Sequence, residues 1–182
     1  MCWAKRPGPA DPSNGRSMKL FFDRLFVFME TLAAGVWIGA LAGFGFAVAG
    51  TVFQELPTIN LAGNVNAAVL AKLNRLEFIA AAAMAASAIY FLLRSDWWTA
   101  VRLVKTVLVV AMVATLIYYA LVVSDRLEYL RVVEIQDFDN FDATKQHFRD
   151  EFTRLHHRYT QLVKANLGMG VLYLLLSAFE RR

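Results

Sequence analysis

The stretch TLAAGVWIGALAGFGFAVAGTVFQ, residues 31–54, carries no charge between Glu30 and Glu55, and Gly35, Gly39 and Gly43 recur through it at four-residue spacing. Twenty-four uncharged residues are more than a helix needs to cross a hydrocarbon layer of about 30 Å, so lipid is the solvent this stretch is written for. Three more apolar runs follow: sixteen residues over 78–93, nineteen over 106–124 and fifteen over 165–179. The two shorter ones are extended by long cationic side chains that can reach the interface, Arg94 after one and Lys164 before the other. A soluble bundle would need a polar face on every helix, and the segments around Gly35 and Val110 have none. The expected fold is therefore all-α: an integral membrane four-helix bundle, up-down-up-down, with spans near 26–53, 74–94, 104–124 and 162–180.

Composition bounds the function. The chain is 58% hydrophobic with mean hydropathy +0.43, the size of one domain, and its single cysteine, Cys2, has no partner for an internal disulfide. The net charge of +4 belongs to membrane flanks rather than to a nucleic-acid surface. No phosphate loop, nucleophile elbow, zinc-protease helix or cysteine pair is present, so an enzyme is not expected, and no cofactor or metal is assigned.

Lys and Arg set the orientation. Lys5, Arg6, Arg16, Lys19 and Arg24 precede the first span, and Arg94, Arg102 and Lys105 surround the second connection. The first connection, 54–69, has neither residue type, while residues 125–164 balance seven basic against eight acidic side chains. This bias predicts both termini inside, as expected of a bacterial inner membrane. Residues 1–17, rich in Pro, Gly, Ser and Asn, are expected to form a disordered tail, and the domain proper to cover 18–182. Met18-Lys19-Leu20-Phe21-Phe22 reads as a natural helix start, and the span behind it is too long for a removable signal.

The breaks are readable too. Leu56-Pro57 should stop the first helix, because a residue before proline avoids helical geometry. Residues 58–64 are then expected as a loop, with Asn64 or Asn66 capping helix two, Ser95-Asp96 turning at its far end and helix three starting near Trp97. Leu127, Leu130 and Val133 continue a helical spacing beyond the third span, and Asp142 is placed to cap the last helix. Helices three and four should thus project past the membrane as a pair.

In lipid, helices associate by close packing and hydrogen bonds rather than by hiding leucine. Gly35, Gly39, Gly43 and Ala47 form one smooth stripe of glycine-zipper type, and Ala81, Ala85 and Ala88 form another, so helix one is expected to pack on helix two through them. A homodimer face is the alternative use of the same glycines. Ionisable residues near the spans are the default place to look for function. Glu30 has Arg24, Arg102 and Lys105 as prospective partners; Arg75 and Glu77, with Lys72 and Asn74, mark the outer end of the second span. The centres of helices one and three offer almost no polar group, which argues against a transmembrane ion path. His147, His156 and His157 lie among Arg154, Arg158 and acids on helix four, a weak pattern for a metal because neighbouring histidines point about 100° apart.

The run AGVWIGALAGFGFAVAGTVFQELP, the Ala62-Gly63 pair, and FTRLHHRY leading to Asn166-Leu167-Gly168 together resemble the transmembrane protein 205-like family. The resemblance rests on Gly35, Gly39, Phe53, Leu56, Pro57, Ala62, Gly63, Phe152, Arg154 and His156. It implies a small four-helix membrane protein and supplies no reaction. Two functions are expected from this: an interaction or scaffold subunit that docks a membrane partner or a second copy within the lipid bilayer, or a transport or small-ligand protein binding an anion, metal or haem. The candidate polar patch for either is Glu30, Arg75, Glu77, Arg154 and His156.

Overall fold

The computed structural model describes residues 12–94 and 99–180. Among them there is no strand, and four long helices account for nearly all of the backbone. Helix α1 covers 12–55 as Pro12–Gly43, a π-helical turn Phe44–Val48 and Ala49–Glu55. Helix α2 is Ile59–Leu92; α3 is Ala100–Ile135, with π-helical segments Tyr118–Val123 and Leu130–Ile135; α4 is Ala143–Glu180, opening with one 3-10 turn. Each is long and apolar enough to cross a membrane, which makes the chain a multi-pass membrane protein.

The stops follow local chemistry. Leu56 is extended at φ −93° and ψ 142°, as the proline behind it requires, and ends α1. Asp142 accepts from the Thr144 amide at 2.9 Å and starts α4 as expected. Other boundaries differ from expectation. Helix α1 is already helical from Pro12, inside the segment read as a tail, where proline's fixed φ suits a first turn; residues 1–11 lie outside the described residues. The loop expected over 58–64 does not exist: Thr58 accepts from the Leu61 amide at 3.2 Å and starts α2 at Ile59, so Ala62 and Gly63 are helical. Threonine before an isoleucine was the stronger cap than either asparagine further on. The Ser95-Asp96 turn and Trp97 lie outside the described residues, and Thr99, accepting from the Arg102 amide, caps α3.

The helices form a closed ring in which α1 packs on α2 and α4, and α3 packs on the same two. Thirty-four residues make α2 about 51 Å long at 1.5 Å per residue. That exceeds a hydrocarbon layer, so the bundle extends past it. Its core is Ala33, Ala34, Trp37 and Leu41 from α1, Ala80, Ala81 and Met84 from α2, Val109, Met112, Leu116 and Tyr119 from α3, and Tyr159 and Tyr173 from α4. Large apolar side chains point the other way, Phe46 at 88% exposure and Leu93 at 82%, as fits helices surrounded by lipid.

The glycine stripe does not do what its spacing predicts. Gly35, Gly39, Gly43 and Ala47 are exposed, and a Cβ built on any of the three glycines meets nothing within 4 Å. Helix α1 instead turns Ala33, Ala34 and Trp37 inward, and this rotates the glycines onto its outer flank. On α2 the reading holds better: Ala81 is buried, and Ala85 and Ala88 are half-buried. The close approach occurs elsewhere, at Gly170, where a Cβ would sit 2.7 Å from Ile38 Cγ1 and so lets α4 press on α1.

Candidate functional site

Two buried polar clusters lie within the ring. One end of the bundle, where α1 and α4 have their Asp23 and Glu180 turns, holds the first. Glu30 is buried at 2% exposure, and its carboxylate accepts from Arg102 Nη1 at 2.9 Å and Lys105 Nζ at 2.8 Å. Glu180 closes the square, accepting from Lys105 Nζ at 2.7 Å and lying 2.7 Å from Arg102 Nε as an ion pair. The Arg102 guanidinium lies 4.0 Å from the Phe91 ring centre, and Lys105 Nζ lies 4.8 Å from that of Tyr173. Two acids and two bases thus cancel in a space lined by aromatic faces from α2 and α4. Nearer the surface, Asp23 accepts from Arg94 and the Tyr90 hydroxyl, each at 2.7 Å, while Tyr90 stacks on Phe26. Arg102 and Lys105 are partners the sequence nominated; Arg24 is exposed, and Glu180 was not foreseen.

The second cluster sits further along the bundle and draws on all four helices. Glu77, 1% exposed, accepts on Oε2 from Trp37 Nε1 at 3.0 Å and from the Tyr119 hydroxyl. The Tyr119 ring meets Tyr159 edge to face with centres 5.4 Å apart, and Tyr159 in turn reaches the Asn74 side chain. Asn166, fully buried, donates Nδ2 to the Met112 carbonyl at 3.3 Å and approaches the Tyr119 hydroxyl at 3.5 Å. Among the described residues no Lys, Arg or His pairs with Glu77, and the amide oxygens of Asn74 and Asn166 are buried without a donor. The π-helical segment beginning at Tyr118 carries Tyr119 to this position, a use such segments often serve at functional sites.

A layer of apolar contact separates the clusters: Met84 and Met112, both at 0% exposure, with Ile38 pressed against Gly170. Glu30 and Trp37 are seven residues apart on α1, about 10 Å along its axis.

The opposite end is tied by the α3–α4 turn. Asp139 accepts from the Ile59 and Asn60 amides at 2.8 and 3.1 Å, capping α2 from a distant part of the chain. Asp137 accepts from Asn60 Nδ2 at 2.7 Å and from the Asn140 amide at 2.9 Å; the Asn140 bonds first, then Asn60, hold its carboxyl down at about 2. Gln136, at φ 64°, makes the reversal that ends α3. A cleft of about 260 Å³ opens here between Phe53, Ile59, Asn60, Arg131, Phe138 and Phe152.

The expected patch of Glu30, Arg75, Glu77, Arg154 and His156 is not one site. Glu30 and Glu77 belong to different clusters, Arg75 and Arg154 are exposed, and His156 is an exposed ring stacked on Phe152 at 6.1 Å. Also corrected is the reading that helices one and three lack polar groups at their centres. Trp37 and Tyr119 supply them, each with an apolar body and a polar tip that needs a partner. The signal that could have found them is an aromatic donor on each helix facing a buried glutamate.

No curated protein and no solved structure matches this chain. Residues 32–134, which include Trp37, Asn74, Glu77, Arg102, Lys105 and Tyr119, match the family model described as a domain of unknown function, DUF4149. That range covers more than half of the sequence, and the chain belongs to the DUF4149 family.

Proposed function

We propose that this is an interaction subunit of the membrane, without catalytic chemistry of its own, that docks a membrane partner through the end carrying the α3–α4 turn. The cleft between Phe53, Phe138 and Phe152 carries the reading: aromatic walls beside Arg131, Asn60 and Asn64 fit a partner segment with an apolar anchor and flanking hydrogen-bonding groups. The cap around Asp137 and Asp139 supports it by fixing the cleft's rim before a partner arrives. Charge bias along the sequence favours this end lying outside and both termini inside. The test is co-purification under mild extraction with Phe53→Ser and Phe152→Ser compared with wild type. A partner retained by wild type and lost with both variants is expected; an unchanged set of associated proteins overturns the proposal.

A second reading, a small-ligand or transport protein, is favoured by one observation: Glu77 is a buried carboxyl with hydrogen-bond donors and no counter-charge among the described residues. Intramembrane groups of this kind mark ion and proton sites more often than they mark simple packing.

A further inference from the structure

We infer that the Glu77 cluster is a binding site for one small monovalent cation, sodium, exchangeable with a proton; this rests on the second reading above and names its ligand. A carboxylate taken out of water must be neutralised or paired. Among the described residues Glu77 has only neutral donors, Trp37 and Tyr119, and both go to the same oxygen. The titratable groups facing it are Tyr119 from α3 and Tyr159 from α4; α1 contributes Trp37, and the charges of α2 nearest in sequence, Lys72 and Arg75, lie exposed on its outside.

The donor set points to the ion. Asn166 Oδ1 and Asn74 Oδ1 are buried oxygens without a donor. The Asn166 amide is held in this sense by the Met112 carbonyl, which needs the NH2 group opposite it. Asn74 and Glu77 are three residues apart on one face of α2, and Asn166, through Nδ2, reaches the Tyr119 hydroxyl that Glu77 contacts, with Oδ1 on the other arm of the same amide. One carboxylate and two amide oxygens, with phenol oxygens beside them, make a hard all-oxygen set. Its single negative charge matches one positive charge, leaving a neutral centre in a bundle surrounded by lipid.

Trp37 is a reporter in place, because its ring N–H bonds Glu77 at 3.0 Å. The other tryptophans, Trp3, Trp97 and Trp98, can be replaced by Phe so that Trp37 alone emits. That protein in detergent is titrated with sodium chloride at constant ionic strength, with choline as replacement, at several pH values. The expected result is a saturable change in Trp37 emission and a rise in Tm, with the half-saturating sodium concentration rising about tenfold per unit of pH below the carboxyl's own titration. Glu77→Gln should abolish both, and Asn74→Ala should raise half-saturation about tenfold while the far-ultraviolet spectrum stays helical, which keeps the test open should Glu77→Gln not fold. An emission change with pH and none with sodium overturns the sodium assignment and leaves a protonated carboxyl. Equal responses to sodium and choline, or no response to either ion or pH, overturn the site, and in the last case the second reading falls with it.

Discussion

The cluster around Glu30 and the cluster around Glu77 are both buried and both bring several helices together, yet one is complete and the other is not. Glu30 and Glu180 are matched charge for charge by Arg102 and Lys105, whereas among the described residues Glu77 meets only the neutral donors of Trp37 and Tyr119. A matched network holds helices in one arrangement and resists exchange of its protons. An unmatched carboxyl costs stability and has its charge set by what arrives. The difference assigns a fastening role to the first cluster and a responsive one to the second.

The most damaging change should be removal of one member of the matched set. Lys105→Ala leaves two buried carboxylates, Glu30 and Glu180, on the single charge of Arg102 and is expected to cost about 3–5 kcal/mol, read as a fall in unfolding free energy in detergent or bicelles. Replacing Glu30, Arg102, Lys105 and Glu180 together by apolar residues of like volume should cost far less; equal damage would show that the network stabilises beyond charge matching. Next comes the apolar layer between the clusters. Gly170→Ala forces Ile38 aside and should cost about 1–3 kcal/mol, while Gly39→Ala, on the outer flank, should leave Tm unchanged. A large loss from the latter would restore the glycine stripe as a packing face. Glu77→Gln keeps an acceptor for both donors and is expected to change stability by less than about 1 kcal/mol in the absence of a ligand. Should it cost as much as Lys105→Ala, the contrast between the two clusters collapses.

The smallest effect lies away from both. Asp137 is held down at about 2, below its unfolded value of 3.8, so its contribution is fully present above about pH 4 and is lost as pH falls toward 2. The protection of the Asp139 and Asn140 amides, whose N–H groups bond Asp137, relative to an unstructured peptide at the same pH should fall over that window with the bundle intact. A carboxyl midpoint near 3.8 by NMR would sink this.

Much of this architecture was legible in the sequence because lipid imposes it. Uncharged runs gave the four helices, Leu56-Pro57 and Asp142 gave two of their limits, and Glu30 could be matched to Arg102 and Lys105 since a buried carboxylate seeks a cation. What escaped depends on rotation of a helix about its axis. The glycines at 35, 39 and 43 show that α1 has a smooth side without saying which neighbour covers it, and Trp37 decided the matter by turning toward Glu77. The second cluster escaped for a related reason: Trp37 and Tyr119 are uncharged and sit in apolar runs, so the sequence does not mark where their polar ends point, and the π-helical turn that swings Tyr119 inward shifts the register by which its face would be counted. Glu180 was missed because Arg102 and Lys105, 78 and 75 residues before it, already had an acid in Glu30, and nothing in the sequence calls for a second.

That separation reaches into biogenesis. Glu30 leaves the ribosome long before the side chains 72 and 75 positions later that will neutralise it, and the ring cannot shut until the last turn of α4 delivers Glu180. A chain made only as far as α2 therefore holds Glu30 without either of the cations that will match it, and α1 and α2 gain that fastening only when α3 joins them.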